Sequence, residues 1–340
     1  MVFCVEDFSW FSIGLVLICG FVMIKRVLQR LQVPGLEQKA VFITGCDSGF
    51  GREAALKLSR IGCPVYAGCL TDEGLRSIEE EAKNSQFPGR LVGIPLDVRE
   101  EELVENAVKL VRDDLPNNTR LWALLNNAGI FSTYGPAEWC SIDEYRASME
   151  VNFYGAVRCT RAFLPLIKET KGSVGFTSSV SGRLGTPGAS TYSAAKFALA
   201  GYCEAIAGEL SVFKIQIGLF EPGVFKTPLL DRSAKERRVN YVWNKMPQEL
   251  RDEYGEEFKE KFLENWHNFM DTIGSTNTSR VTDRYVQFVT TRFPSYNYVC
   301  GVDANFFWIP LSYLPSDWAR AMWARLSNAI PAALQKRKYD

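Results

Sequence analysis

The stretch AVFITGCDSGFG, from Ala40 to Gly51, decides the fold of this 340-residue chain. A short apolar run of strand length leads directly into a turn with glycines at positions 45, 49 and 51, and a helical pattern follows. Glycines let the backbone turn tightly and approach a pyrophosphate, which the free N–H groups and the dipole of the following helix stabilise. The spacing is a variant of the GxGxxG dinucleotide fingerprint. Strand, turn and helix in this order predict a nucleotide site.

Strands and helices alternate along the rest of the chain. The predicted strands are short, apolar and bounded by turns. They cover residues 40–44, 65–68, 91–96, 121–125, 174–177 and 215–220, with helical segments such as 52–61, 101–112 and 141–170 between them. This alternation predicts an α/β fold with a doubly wound parallel sheet, the Rossmann fold, in a single catalytic domain.

Composition narrows the classes of function. Lys plus Arg and Asp plus Glu balance at 39 each and form no long basic stripe, so the charges do not favour nucleic acid as a partner. Nine irregularly spaced cysteines without a CxxC pair indicate reduced, mostly buried thiols. The only histidine, His267, is predicted to be a surface or lid residue, and it leaves no HExxH metal site to be written. We expect no metal.

The amino end carries an uncharged run of 17 residues, Phe8 to Ile24. This length is at the short end of what crosses a bilayer. Asp7 precedes the run, which favours a retained anchor over a cleaved signal peptide, with an apolar hairpin as a further alternative. Lys25, Arg26 and Arg30 follow it, so we expect the catalytic domain on the cytoplasmic side of the endoplasmic reticulum membrane.

After residue 223 the alternating pattern stops. Residues 224–275, here called the lid segment, are rich in charged and aromatic residues, and we expect part of this segment to contact substrate beyond the strand ends. Within it, apolar residues at four-residue intervals predict one amphipathic helix carrying Leu250, Tyr254, Phe258 and Phe262. The stretch Phe306 to Leu326 suits either a membrane interface or a packed tail. The predicted divisions are 1–37 (anchor and linker), 38–305 (catalytic domain with lid) and 306–340 (tail).

Further motifs follow the glycine turn in order. Tyr192 and Lys196 in TYSAAKFALAG lie four residues apart, which places them on one helix face. The motifs are Thr44-Gly45-x-x-x-Gly49-x-Gly51, Asn126-Asn127-Ala128-Gly129, Ser179 thirteen residues before Tyr192, Tyr192-x-x-x-Lys196, and Pro222-Gly223 with Thr227. Together they resemble the short-chain dehydrogenase/reductase family over about residues 38–230. TGCDSGFG, the AGCL after the second strand and FLPLIK at 163–168 resemble its retinol and hydroxysteroid dehydrogenase branch, which also includes 3-hydroxybutyrate dehydrogenase.

The resemblance implies catalytic roles for four residues. Tyr192 is the general acid/base, and Lys196 as a nearby cation lowers its pKa and holds the nicotinamide ribose. Ser179 binds substrate by donating to its oxygen, although the adjacent Ser178 stays an alternative. Asn152 matches the family's asparagine that holds a proton-relay water.

The resemblance also implies a set of cofactor contacts. They are Thr44, Gly45, Ser48, Gly49, Phe50 and Gly51 in the turn, Asp97 and Val98 at the adenine end, Asn126, Ala128 and Gly129 after the fourth strand, Tyr192 and Lys196, and Pro222, Gly223, Val224 and Thr227 around the nicotinamide. For Asn126 to Gly129 a purely structural role is left open.

The implied reaction is reversible NAD-dependent oxidation of a lipophilic alcohol such as retinol or a hydroxysteroid. NADP is disfavoured because no base stands near the end of the second strand. No acidic residue stands immediately at that strand end either, so Asp47 or Asp72 would have to supply the preference for NAD. A small hydroxy acid would need a cation for its carboxylate, which Lys226, Arg232 or Lys235 could provide.

Three alternatives stay open: an NADPH-dependent carbonyl reductase, a 3-hydroxybutyrate-type dehydrogenase, and a membrane-tethered binding protein without turnover. We expect a lipophilic alcohol or ketone and a membrane as partners, and we leave a homo-oligomer open.

Overall fold

Seven parallel strands form one sheet in the order β3-β2-β1-β4-β5-β6-β7. The computed structural model describes the backbone of residues 5–326 and 331–333. The strands are β1 Lys39–Thr44, β2 Val65–Cys69, β3 Leu91–Pro95, β4 Arg120–Asn126, β5 Ser173–Thr177, β6 Gln216–Pro222 and β7 Asn297–Cys300. This order, which reverses between β1 and β4, confirms the predicted doubly wound α/β fold.

The helices in chain order are α1 Val5–Leu28, α2 Gly49–Arg60, α3 Asp72–Asn84, α4 Glu101–Asp114, α5 Ile142–Met149, α6 Ala156–Thr170, α7 Ser190–Ser211, α8 Arg232–Lys245, α9 Gln248–Tyr254, α10 Glu256–Ile273, α11 Ser279–Thr290, α12 Ile309–Ser312 and α13 Ser316–Leu326. Helices α4, α6 and α7 cover one face of the sheet and α2, α3 and α11 the other, and neighbouring residues of a strand point to opposite faces. Phe42 packs with one core, which includes Phe163 of α6. Val41 and Ile43 pack with the other, beside α2 and α11.

The sequence predicts six of the seven strands and misses β7. Only four residues long, β7 lies outside any strand-length apolar run. Its position depends instead on tertiary contact, since Tyr298 stacks on Phe220 of β6 with ring centroids 5.0 Å apart.

Two predicted helical segments are interrupted. The segment 141–170 consists of α5, a π-helical turn at Glu150–Gly155, and α6. In the lid segment the predicted single amphipathic helix is wrong: α9 ends and α10 begins on either side of Gly255, whose φ of +80° is the left-handed conformation that favours glycine. The apolar stripe nevertheless packs as one group, because Tyr254 and Phe258 both contact the ring of Trp139.

The run Phe8 to Ile24, which the sequence predicts to be a membrane anchor, lies within α1. Among the described residues, no helix combines the length and the apolar character needed to cross a membrane.

The tail packs on the lid segment. A π-helical turn, Ala304–Trp308, leads into α12 and α13. Trp308 stacks on Trp323 of α13 with centroids 5.8 Å apart, and both rings contact Phe269 of α10. Residues 304–323 therefore help to position the lid.

Candidate active site

The carboxyl ends of β1, β4, β5 and β6 open into one long cleft, which begins where the strand order reverses. In doubly wound sheets this crevice is where ligands bind. One end of the cleft is lined by the glycine turn, and the other by Ser179, Tyr192 and Lys196. The two parts of the cleft meet at Phe50, Asn127 and Gly129, which line both of them.

The glycine turn has the shape of a phosphate cradle. Gly45 and Gly49 have φ angles of +71° and +62°. A Cβ on Gly45 would lie 2.8 Å from Ala128 Cα, and one on Gly51 would lie 2.4 Å from Asn127 Nδ2, so larger residues do not fit at these two positions. Ser48 makes no side-chain cap at the start of α2, which leaves the N–H groups of the first turn available to a pyrophosphate.

Asn127, rather than Asn126, belongs to the cleft. Its amide donates to the carbonyl oxygens of Thr44 and Gly45 at 2.9 and 3.1 Å, which ties β4 to the glycine turn. Asn126 is buried, donates to Thr160 Oγ1 at 3.0 Å and does not line the cleft. The structure thus gives Asn126 a supporting position instead of the predicted cofactor contact.

Thr44 and Gly51 also lie behind the cleft wall. The Thr44 hydroxyl accepts from the backbone N–H groups of Asn127 and Ala128 at 3.0 and 2.9 Å. The remaining residues predicted to contact a cofactor do line the cleft: Gly45, Ser48, Gly49, Phe50, Asp97, Val98, Ala128, Gly129, Tyr192, Lys196, Pro222, Gly223, Val224 and Thr227.

The four predicted catalytic residues converge on the far end of the cleft. Lys196 Nζ donates to the carbonyl of Thr177 at 2.7 Å and lies 5.5 Å from the centre of the Tyr192 ring. A Cβ on Gly129 would lie 2.9 Å from Asn152 Oδ1 and 3.5 Å from Lys196 Nζ, which shows how closely these groups approach. Asn152 donates to the carbonyl of Ile130 at 2.9 Å and accepts from its N–H at 3.1 Å. The π-helical turn therefore holds the Asn152 amide against the backbone N–H and C=O of the single residue Ile130.

The structure distinguishes the two adjacent serines. Ser178 Oγ donates to the Lys196 carbonyl at 3.3 Å, so its hydroxyl is occupied by the backbone of α7. Ser179 Oγ accepts from Ser181 N at 3.1 Å, donates to the Pro222 carbonyl at 3.5 Å and stands close enough to Tyr192 to affect its pKa. Of the two, Ser179 is therefore the serine beside the Tyr192 hydroxyl.

Burial governs the pKa values of the central pair. It raises the pKa of Tyr192 to about 12, against a small opposing effect of the Ser179 hydroxyl. Burial also lowers the pKa of Lys196 to about 7. The predicted lowering of the Tyr192 pKa by a lysine cation is thus absent from this structure, because desolvation disfavours both charged forms.

A partly buried hydrogen-bond chain, which the sequence does not predict, joins Lys196 to the glycine turn. The Thr177 peptide accepts from Lys196, and the Thr177 hydroxyl lies 2.6 Å from that of Tyr285 on α11. Tyr285 donates in turn to Asn127 Oδ1 at 3.2 Å. No motif marks Tyr285, because it stands in an ordinary amphipathic helix.

Asp303 is a second residue whose part in the site the sequence does not predict. Its Oδ2 accepts from the N–H of Val224 at 2.7 Å and from the Trp308 indole at 3.1 Å. A Cβ on Gly223 would lie 2.2 Å from the same oxygen, so glycine is needed for this approach. Asp303 thereby positions the segment that the resemblance assigns to the nicotinamide.

Apolar side chains wall the space around Tyr192 and Ser179, whose cavity volume is about 120 Å³. They come from the lid segment, from the tail and from the loop after β4: Phe131, Tyr134, Leu229, Leu230, Trp266, Phe269, Met270 and Trp308. Residues of the lid segment therefore line the space beside Tyr192 and Ser179, where the sequence predicts them to contact substrate. Lys226, Arg232 and Lys235, the cations considered for a hydroxy acid, line a neighbouring pocket and not this wall.

The opposite end of the cleft carries two acids and one base. Asp47 accepts from the N–H groups of Leu70 and Thr71 at 2.9 and 2.8 Å, just after β2. Asp97 is bonded to Arg99, whose Nε lies 3.0 Å from each carboxylate oxygen, and the Arg99 guanidinium lowers the pKa of Asp97. Of the two acids predicted to set the cofactor preference, Asp47 lines the cleft and Asp72 does not.

Comparison with known proteins places this geometry in a family. The family model described as short chain dehydrogenase matches residues 39–238. The 3beta-hydroxysteroid dehydrogenase dhs-16 of Caenorhabditis elegans is 38% identical over 94% of this chain and 84% of that protein. Retinol dehydrogenase 5 of Mus musculus is 34% identical over 87% of this chain and 90% of that protein.

Solved structures share the fold. A short chain dehydrogenase/reductase from Burkholderia phymatum in complex with NAD superposes with a TM-score of 0.65, at 18% identity over 84% of this chain and 96% of the other. A short chain dehydrogenase from Burkholderia cenocepacia J2315 in complex with NADP gives 0.60, at 22% identity over 84% and 96%. The chain belongs to the short-chain dehydrogenase family, in its retinol and hydroxysteroid dehydrogenase branch, and is an NAD(P)-dependent oxidoreductase.

Proposed function

We propose that this enzyme catalyses reversible oxidation of a lipophilic alcohol, of the retinoid or hydroxysteroid class, with NAD. The observation that carries the proposal is the apolar wall around Tyr192 and Ser179, to which Phe131, Leu229, Leu230, Phe269, Met270 and Trp308 contribute. Such a site favours an apolar body with one reacting hydroxyl. The names of the two relatives, a hydroxysteroid dehydrogenase and a retinol dehydrogenase, support the same class.

In the proposed mechanism Tyr192 takes the hydroxyl proton of the alcohol and returns it in the reverse direction. Ser179, which stands beside Tyr192, donates to the same substrate oxygen and stabilises the charge that develops there. NAD, when bound, accepts the hydride from the carbinol carbon. Lys196 holds the ribose, and in its protonated form it favours the tyrosinate through its positive charge. Asn152, fixed on the Ile130 peptide, holds the water that relays the proton.

Electrostatics at the adenosine end supports NAD over NADP. Arg99 is the one cation among the described residues that line this end, and Asp97 already neutralises it. The Asp47 carboxylate stands at the end of β2, where a 2′-phosphate would have to bind. The Asp47 carboxylate and a 2′-phosphate are both negative and would repel each other there, so a 2′-phosphate is disfavoured.

A substrate panel tests the proposal. The purified full-length enzyme is incubated with retinoids, hydroxysteroids and 3-hydroxybutyrate, each with NAD and with NADP, while reduced cofactor is followed by absorbance. We expect turnover of at least one lipophilic alcohol, with higher kcat/KM for NAD. Leu70→Arg, which adds a cation after β2, should shift the preference toward NADP. Turnover confined to 3-hydroxybutyrate, or to NADPH and ketones, would contradict the proposal.

We propose further that the chain is attached to the endoplasmic reticulum membrane through α1, with its catalytic domain on the cytoplasmic side. Apolar side chains of α1 are exposed by 48–69%: Ile13, Leu15, Val16, Leu17, Ile18, Phe21, Met23, Ile24 and Val27. So large an apolar surface favours contact with lipid. Release of the full-length protein by alkaline carbonate would count against attachment. A glycosidase-sensitive mass shift at Asn117 or Asn277, which both lie in sequons, would place the domain in the lumen.

A further inference from the structure

A second pocket adjoins the catalytic cleft. It lies between residues 224–231, the first turn of α8 and the end of α10, and has a volume of about 600 Å³. The two spaces share the wall residues Val224, Phe225, Thr227, Leu230 and Met270. A group bound in the second pocket would therefore stand next to the substrate space.

Cations outnumber anions around this pocket. Four basic side chains line it, Lys226, Arg232, Lys235 and Arg237, against two acids, Asp231 and Asp271. The acids are already engaged. Asp231 caps α8 by accepting from the N–H groups of Ser233 and Ala234 at 3.1 and 3.4 Å, and Asp271 lies 3.5 Å from Lys226 Nζ. Arg232 is paired with Glu236 at 3.5 Å, outside the pocket lining.

Lys235 and His267 are the two buried polar groups of the pocket. Lys235 is 4% exposed, and its ammonium has neither a hydrogen bond nor an ion pair among the described residues. His267 is 6% exposed, and its Nε2 has no hydrogen-bond partner in the same part of the chain. The side chain of Lys235 is buried, but its Nζ is not enclosed by protein, so the ammonium is open to the pocket, where an anion or a hydrogen-bond acceptor can pair with it.

We propose that this pocket binds an oxyanion, a carboxylate, sulfate or phosphate group, between the Lys235 ammonium and the His267 imidazole. Both groups donate hydrogen bonds when protonated, and oxyanions accept them at several oxygens. Arg232 and Arg237, exposed at the pocket mouth, add positive potential that attracts the anion. The oxyanion is either free in solution or the polar end of a substrate whose apolar body extends into the adjoining cleft.

His267 also provides the test, because it is the only histidine of the chain. Tag-free, full-length protein labelled with ¹³C at histidine Cε1 gives a single imidazole signal. Burial, followed by the charges of Arg232 and Lys235, lowers the pKa of His267. Inorganic phosphate, added at constant ionic strength, is expected to shift the signal saturably and to raise that pKa.

Variants assign the effect to the pocket. Lys235→Gln should weaken the apparent Kd for phosphate by at least about tenfold, since a charge-assisted hydrogen bond is lost. Arg232→Gln, at an exposed position, gives a second variant whose folding is not at risk and should also weaken binding. Lys109→Gln on the exposed side of α4 removes the same charge far from the pocket and should leave the Kd unchanged.

A kinetic arm distinguishes the two sources of the oxyanion. If the group belongs to the substrate, a sulfated hydroxysteroid will have a lower KM than its neutral parent, and Lys235→Gln will raise only the KM of the sulfated compound. If the oxyanion is free, phosphate will saturate the His267 signal and the two steroids will have the same KM. No saturable shift with phosphate or with the sulfated steroid would overturn the proposal. The imidazole measurement does not depend on turnover, so failure of the proposed function is distinguishable from failure of this one.

Discussion

Tyr192→Phe is expected to lower kcat for alcohol oxidation by about 10²- to 10⁴-fold, the range typical of a lost general acid/base. The hydroxyl is the only group that the substitution removes, and the ring keeps its stacking on Phe131, whose centroid lies 4.6 Å away. Binding of NAD, measured by quenching of protein fluorescence, should therefore change little. Substantial turnover by Tyr192→Phe would exclude Tyr192 as the proton acceptor.

The adjacent serines provide a matched comparison in the same assay. Ser179→Ala removes the hydroxyl that stands beside Tyr192, and the loss of one donor to a developing oxyanion costs about 10²- to 10³-fold in kcat. Ser178→Ala removes a hydroxyl that is bonded to the backbone of α7, and we expect most of the activity to remain. The reverse ranking would assign the substrate contact to Ser178.

Lys196→Met is expected to abolish turnover and, at the same time, to change how stability depends on pH. In the folded protein burial lowers the pKa of Lys196 to about 7, whereas an unperturbed lysine titrates near 10.5. Between these values the unfolded chain binds a proton that the folded chain does not, so the free energy of unfolding rises with pH. One such proton contributes about 1.4 kcal/mol per pH unit, or about 2 kcal/mol between pH 7.0 and 8.5.

Urea unfolding at these two pH values measures the effect. The wild type should gain about 2 kcal/mol more than Lys196→Met on going from pH 7.0 to 8.5. Below pH 7 the folded protein must carry the buried cation, so Lys196→Met should be the more stable of the two. Lys109→Met, at an exposed position of α4, should follow the wild type. An equal pH dependence in the wild type and Lys196→Met would show that Lys196 keeps an ordinary pKa in the folded state.

Local patterns explain why much of this fold could be predicted. The glycine turn, six strands and the Tyr192–Lys196 face depend on residues close together in sequence, so periodicity and spacing reveal them. The predicted single lid helix failed at Gly255, where one left-handed residue separates two helices that continue the same apolar stripe. Strand β7 was missed because the stacking of Tyr298 on Phe220, rather than its own sequence pattern, fixes its place.

The supporting residues of the site could not be found in this way. Asp303 acts on Val224 across 79 residues, and Tyr285 reaches Asn127 across 158. Neither residue stands in a recognisable motif, and each acts through a hydrogen bond that exists only after the sheet has formed. Asn126 and Asn127 illustrate the same limit, because adjacent residues of a strand end face different surroundings and spacing alone does not tell which one lines the cleft.

The contact between Asp303 and Val224 has a consequence for the order in which the protein matures. Asp303 and Trp308 follow the last strand, which ends at Cys300, so the contact with Val224 can form only after the sequence of the whole sheet has been synthesised. Domains generally fold as units. The segment around Val224 therefore becomes fixed only once residues 303–308 have joined the fold, and we expect the newly made enzyme to acquire catalytic competence no earlier than that.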